Sequence, residues 1–204
     1  MKIIDITVPV TPATPAYPGK VAFSRSVQSR IEESATANCS SFTMDCHFGT
    51  HVDAPLHFVR DGIAIHEIDL ARLNGACSVI EVSGRRNVTL ADLKNLKPGC
   101  RVLLKTCGSA MMRSGHAPPD QLGYLEPEAA QLLVDLDARM VGIDGYSIDD
   151  YDAGEPCHHI LLPAGILIVE CLDLADIEPG DYDVSILPLK LVGCEASPAR
   201  AILW

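Results

Sequence analysis

Short apolar runs, separated by polar segments that contain glycine and proline, dominate the hydrophobic pattern of this 204-residue chain. The runs are rich in valine, isoleucine and leucine, which is typical of strands. They predict strands over residues 3–8, 41–47, 78–82, 101–105, 140–143, 166–170 and 184–187. Helical segments alternate with several of these strands, so the pattern predicts an α/β fold with a mixed sheet.

Two helices have clear sequence signals. Thr89 can cap a short helix that runs through Leu93, and Pro127 suits the first turn of a longer helix over residues 127–138. Four apolar residues of the longer helix are predicted to form its buried side: Ala130, Leu133, Val134 and Leu136. No repeat, linker or low-complexity segment divides the chain, which indicates a single domain over residues 1–204.

Composition narrows the range of functions. Hydrophobic residues make up 48% of the chain and charged residues 21%, which is typical of a globular protein. The net charge of −11 argues against a nucleic-acid-binding surface, and no basic cluster or long apolar run predicts membrane binding. The first residues lack a signal-peptide pattern, and the eight cysteines show no CxxC spacing. We therefore expect a cytoplasmic protein with reduced thiols.

The segment HFGTHVDAPLH, residues 47–57, carries the first candidate chemistry. In an extended chain His51 and Asp53 project to the same face, and Gly49 with Thr50 permits a bend that brings His47 alongside. Imidazole and carboxylate together suit zinc, manganese or iron(II). The segment lacks the helical HExxH pattern and contains Pro55, so it predicts a metal site between a strand and a loop. The alternative is a polar loop whose histidines are coincidental.

A second candidate segment contains His158, His159 and, after the apolar run 166–169, Glu170. A carboxylate at the end of a buried strand is costly unless a partner neutralises it. A metal ion is one such partner, and a salt bridge to a buried arginine or lysine is the alternative. Because adjacent side chains point apart, we expect only one of the two histidines to face the site.

Five segments in order along the chain carry a family resemblance. They are TPATPAYPG, HFGTHVDAPLH, VGIDGYSID, HHILL followed by Glu170, and PLKLVGCEASPAR. This ordered set resembles the cyclase family of metal-dependent hydrolases, which includes bacterial kynurenine formamidases. The resemblance implies a swivelling β/β/α arrangement and a homodimer or larger homo-oligomer.

The resemblance also implies roles for individual residues. The metal ligands would be His47, His51, Asp53, His158 and Glu170. The metals would be two divalent ions, with zinc the first choice and manganese or iron(II) the alternatives, and with Asp53 and Glu170 as bridges. His57 would donate and accept protons, although a role as a sixth ligand or as a hydrogen-bond donor to a ligand stays open. Tyr17 would contact the substrate.

The implied reaction is the hydrolysis of an amide by a metal-activated hydroxide, with N-formyl-kynurenine giving kynurenine and formate. Three positions depart from the family pattern: Tyr17 replaces a tryptophan, Lys20 replaces an acid, and Gly145-Tyr146 replaces Thr-Pro. These departures support an alternative small-molecule substrate, such as a cyclic amide, an ester or lactone, or a polyketide-like compound. A third possibility is a metal-binding protein without turnover, but His57 argues against it because such a protein needs no proton-transfer group.

Overall fold

The computed structural model describes residues 2–204 and is built around one mixed sheet. Its eight strands are β1 (Ile4–Asp5), β4 (His51–Asp53), β5 (Asn74–Glu81), β7 (Arg101–Lys105), β9 (Met140–Ile143), β10 (Leu167–Glu170), β11 (Gly180–Pro188) and β12 (Ala196–Leu203). Two further pairs are β2 (Ser24–Ser29) with β3 (Cys39–Thr43), and β6 (Asn87–Val88) with β8 (Tyr124–Leu125). The helices are α1 (Leu90–Leu93), α2 (Gly108–Ser114), α3 (Pro127–Asp135) and α4 (Pro156–Leu161).

The sheet closes on itself in a barrel-like arrangement. Its strand order is β1-β12-β11-β5-β7-β9-β10-β4, and β4 also pairs with β12. Strands β5, β7, β9 and β10 are parallel, whereas β4 runs antiparallel to both of its neighbours. The short strand β4 therefore joins the two ends of the sheet, which removes an exposed edge.

Apolar side chains cover both faces of the central strands. Along β10, Leu167 and Val169 belong to a core cluster inside the closed sheet. Ile168, between them, belongs to a second cluster that contains Leu133 of α3 and Leu161 of α4. Because successive strand residues point to opposite faces, the continuous apolar run of β10 fills both cores at once.

The central strands agree closely with the sequence pattern. The predicted strands over 101–105 and 140–143 have the observed bounds, and the strand over 166–170 begins one residue later, at Leu167. The strand over 41–47 is wrong at its end, because β3 finishes at Thr43 and His47 lies in a turn. Five strands are additional to the seven that the pattern predicts: β2, β4, β6, β8 and β12.

The helix predicted over 127–138 is three residues shorter in the structure. Asp137 adopts a positive φ of 49°, and its N–H donates to the Val134 carbonyl while that of Ala138 donates to the Leu133 carbonyl. This left-handed cap ends α3 before Leu136. Leu133 is buried as predicted, but Val134 is only partly buried.

Two further expectations concern the chain as a whole. Within residues 2–204, no helix combines the length and the apolar character that crossing a bilayer requires. All eight cysteines are free thiols, and three of them, Cys77, Cys157 and Cys171, are buried.

Candidate active site

Strands β4 and β10 place three candidate ligands side by side. In the antiparallel register His51 lies opposite Glu170, and Asp53 lies opposite Ile168. His51 and Asp53 share one face of β4, as the two-residue spacing predicts, while Val52 points into the inner core. The Nε2 atom of His51 lies 3.5 Å from Asp53 Oδ1 and 3.3 Å from Glu170 Oε2.

A bend before β4 brings His47 to the same place. Gly49 adopts a φ of 65°, which favours glycine because it has no Cβ. Thr50 anchors the bend, since its Oγ1 donates to the Cys171 carbonyl at 2.6 Å and accepts from the Val8 N–H at 2.9 Å. The Nδ1 atom of His47 then lies 2.9 Å from Asp53 Oδ1.

Helix α4 supplies His158 from the other side. The Nε2 atom of His158 lies 3.5 Å from Asp53 Oδ2 and 3.5 Å from Glu170 Oε1. Its Nδ1 is 2.5 Å from Asp149 Oδ2, and Asp149 also accepts the backbone N–H groups of Cys157 and His158. Asp149 therefore holds both the start of α4 and the ring of His158, while His159 is exposed.

The buried carboxylate of Asp53 is the strongest indication of a cation site. Within residues 2–204, neither of its oxygens has a well-aligned hydrogen-bond donor, although the residue is fully buried. The Nε2 atoms of His47 and His51 are buried without a hydrogen-bond partner as well. Buried polar atoms rarely lack a partner, and this set consists of nitrogen and carboxylate donors that suit a divalent metal. The residues present therefore fit the metal centre that the sequence predicts.

The histidines and carboxylates shift each other's pKa values in opposite directions. Burial opposes the protonation of His51, but Asp53 and Glu170 outweigh it and raise the pKa of His51 well above its ordinary value. Burial by itself raises the pKa of Asp53, yet the surrounding histidines hold it well below its usual range. Carboxylates likewise raise the pKa of His158, so protons on His51 and His158 balance the buried carboxylates, and a bound cation would take over that role.

Two overlapping groups of candidate ligand atoms share Asp53. One group joins it to His51 and Glu170, and the other joins it to His47 and His57. Within each group the atoms lie within 4.8 Å of one another. Asp53 is thus the residue common to both groups of candidate ligand atoms.

His57 lies on a 3₁₀ turn, Pro55–His57, that begins at the proline. Its ring centroid is 4.3 Å from that of His47 and 5.7 Å from that of His158. Burial lowers the pKa of His57 to about 4, with Asp53 opposing the shift. The side chain is therefore neutral near pH 7 and can accept a proton.

A cavity of about 160 Å³ opens onto these residues. Its walls include His57, His158 and Glu170 together with Tyr17, Lys20 and Tyr146. The Tyr17 ring contacts that of Tyr146 edge to face, with centroids 6.2 Å apart. Three side chains that depart from the family pattern thus line the same cavity: Tyr17, Lys20 and Tyr146.

Two acidic residues near the ligands were not predicted from the sequence. Asp149 and Glu195 each lie within a segment that carries the family resemblance, but neither is assigned a role there. Glu195 Oε1 lies 3.3 Å from His47 Nε2. The N-cap position of α4 is Glu155 rather than Asp149, so no local capping signal marks the role of Asp149.

The salt-bridge alternative for Glu170 finds no support in the geometry. Among residues 2–204, the ion-pair partners of Glu170 are His51 and His158, and neither arginine nor lysine pairs with it. Cys46 lies in a turn rather than in a strand, and its thiol contacts Cys194. The groups of candidate ligand atoms found in the described part of the chain do not include Cys46.

Comparisons with known proteins agree with this geometry. The cyclase family model, described as "Putative cyclase", matches residues 4–150. A kynurenine formamidase from Salinibacter ruber is 36% identical, in an alignment that covers 100% of this chain and 97% of the relative. A solved structure described as a predicted metal-dependent hydrolase from Bacillus stearothermophilus is 35% identical, has a TM-score of 0.85, and aligns over 99% of this chain and 97% of that one.

The fold extends to more distant structures. Isatin hydrolase A from Ralstonia solanacearum is 22% identical, with a TM-score of 0.87 and coverage of 99% of this chain and 91% of that one. At this identity the likeness concerns the fold alone. The family model covers most of the chain and the formamidase relative aligns with all of it, so the chain belongs to the cyclase family.

Proposed function

We propose that this protein is a metal-dependent amidohydrolase of the arylformamidase type, which converts N-formyl-kynurenine to kynurenine and formate. The observation that carries the proposal is the buried Asp53 carboxylate, which has no well-aligned hydrogen-bond donor in the described part of the chain and is surrounded by histidines. The similarity of the whole chain to a kynurenine formamidase supports the choice of an amide as substrate.

In this proposal His47, His51, Asp53, His158 and Glu170 hold the metal. A divalent metal there would supply a nucleophile from water near neutral pH and a positive charge for the carbonyl oxygen of the substrate. We also propose two metals per subunit, with zinc preferred over manganese or iron(II). The proposal further includes a single domain over residues 1–204, assembly into a homodimer or larger homo-oligomer, and a cytoplasmic location.

The proposed catalytic residue is His57. It lines the cavity beside His47 and His158, where its imidazole can take up a proton from the nucleophile. The same ring then delivers this proton to the leaving nitrogen of the amide. Tyr17 would pack its ring against an aryl substrate, because it lies in the cavity wall beside Tyr146.

A second candidate function retains this metal chemistry and changes the substrate to a cyclic amide, an ester or a lactone. The observation that favours it is the shared location of Tyr17, Lys20 and Tyr146 in the cavity wall. These three side chains differ from the family pattern in size or in charge. They would alter which molecule fits without altering the metal ligands.

The first experiment measures hydrolysis of N-formyl-kynurenine by absorbance, using protein loaded with zinc or manganese, before and after chelation. Efficient turnover that a chelator abolishes would establish a formamidase. Negligible turnover by folded, metal-loaded protein would reject that assignment. Cyclic amides and lactones would then be assayed with the same preparation.

Substitution of His57 tests the proton-transfer role. We expect His57→Ala to retain its metal and to lose about 10²- to 10⁴-fold in turnover, because removal of a general acid and base has effects of that size. Metal content is measured by atomic absorption alongside the rate. His116→Ala, at an exposed histidine, is the matched control and should behave as the unmodified protein does. Unchanged turnover in His57→Ala would refute the proposed mechanism.

A further inference from the structure

The sheet register places Glu195 beside the candidate metal site. Glu195 immediately precedes β12, whose first residue, Ala196, is the register partner of Asp53. The carbonyl of Glu195 accepts the Ala54 N–H at 2.9 Å, so its backbone is fixed next to the end of β4. Its side chain, 41% exposed, brings Oε1 to 3.3 Å from Nε2 of His47. No role for Glu195 follows from the ligand set itself.

The other two candidate ligand histidines, His51 and His158, each have a hydrogen-bond acceptor at the ring nitrogen that faces away from the carboxylates. His51 donates from Nδ1 to the Gly49 carbonyl at 2.8 Å, and the ring of His158 is bonded at Nδ1 to Asp149. In both residues the opposite nitrogen, Nε2, faces the Asp53 and Glu170 carboxylates. An acceptor on the far nitrogen sets the tautomer and the orientation of a metal-binding imidazole.

His47 has the reverse orientation. Its Nδ1 faces Asp53 Oδ1 at 2.9 Å, so Nε2 is the far nitrogen. This Nε2 is buried and has no aligned hydrogen-bond partner, and the neighbouring acid is Glu195. Rotation of the partly exposed Glu195 side chain is enough to turn the 3.3 Å approach into a hydrogen bond.

We propose that Glu195 is a positioning residue that accepts the Nε2–H of His47 and so directs the Nδ1 lone pair toward the metal. His47 would then coordinate through Nδ1, whereas His51 and His158 would coordinate through Nε2. The inference rests on the proposed metal-dependent function and assigns a new residue to its site.

Geometry argues against Glu195 as a direct metal ligand. Its carboxylate approaches Nε2 of His47, whereas the opposite nitrogen of that ring, Nδ1, faces Asp53. This position suits an acceptor on the far side of the imidazole.

Zinc affinity provides the first test, measured by competition with a chromogenic chelator. We expect Glu195→Ala to bind zinc about 10- to 100-fold more weakly, as is typical when the acceptor of a ligand histidine is removed. Glu195→Gln should recover most of the affinity, because its amide oxygen still accepts a hydrogen bond. Glu178→Ala removes the same charge from an exposed position and serves as the matched control.

Nitrogen-15 spectra of histidine-labelled, zinc-loaded protein provide the second test. We expect the His47 Nε2 to carry a proton and its Nδ1 to bind zinc, with the Nε2–H resonance shifted in Glu195→Ala. Zinc affinity that is unchanged in Glu195→Ala, or coordination of His47 through Nε2, would overturn the inference. Either result could accompany normal, chelator-sensitive hydrolysis by the unmodified protein. Failure of the proposed function itself would instead appear as negligible turnover by unmodified protein that still binds zinc.

Discussion

Asp53 and Asp144 are both fully buried carboxylates at ends of strands in the same sheet, yet their surroundings are opposite. Asp144 follows β9, and its oxygens accept the N–H and hydroxyl of Thr106 at 3.0 and 2.5 Å and those of Ser109 at 2.9 and 2.9 Å. Asp53 has no well-aligned donor among residues 2–204 and is surrounded by imidazole rings. A buried acid with a full set of donors stabilises the fold, while one without donors is available to a cation.

The pKa values of the two acids diverge for the same reason. Burial raises the pKa of Asp144, and its neutral hydrogen-bond donors only partly offset that rise. Burial acts on Asp53 as well, but the histidines reverse the shift and hold its pKa well below the usual range. Depth of burial therefore does not identify a functional carboxylate. The nature of its partners does.

The largest expected effect comes from Asp53→Asn. An amide lacks the charge of Asp53, which both groups of candidate ligands share. We therefore expect zinc affinity to fall by more than about 100-fold, which exceeds the loss expected when the hydrogen-bond acceptor of a ligand histidine is removed. Equilibrium dialysis followed by atomic absorption measures the affinity. Urea unfolding of metal-free protein should show a smaller loss of stability than Asp144→Asn does. Full zinc binding by Asp53→Asn would contradict its assignment as a ligand.

A smaller effect is expected from Asp149→Asn, which weakens the acceptor of the His158 ring without removing a ligand. We expect zinc affinity to fall about 10- to 100-fold, measured by the same dialysis. The neighbouring Asp150 pairs with Arg86 instead, so Asp150→Asn is the matched control. Equal zinc affinities in the two variants would show that Asp149 acts only as the cap of α4.

The smallest effect on metal binding is expected from Asp144→Asn. Its amide nitrogen would face donors rather than accept from them, which leaves two buried donors without a partner. We expect a loss of about 1–3 kcal/mol in the free energy of unfolding, measured in urea, with zinc affinity changed by less than about twofold. A large loss of zinc affinity in folded Asp144→Asn would remove the contrast with Asp53.

Local patterns predicted the parts of the molecule that depend on neighbours in sequence. The strand over 101–105 forms because a continuous apolar run buried on both faces is stable only in a central strand. His51 and Asp53 share a face because strand side chains alternate. Strand β12 escaped prediction because it contains Pro198, which lies on the segment that pairs with β4.

The sequence by itself determined the α/β class, the central strands and the candidate ligand types, because periodicity and side-chain chemistry are local properties. Only the tertiary structure decided which buried acid is left without donors and which acid lies behind each histidine. Asp149 reaches His158 through the start of α4, and Glu195 reaches His47 because β4 closes the sheet against β12. The first contact spans nine residues and depends on the path of the chain into α4, whereas the second joins residues far apart in the chain and depends on how the whole sheet closes.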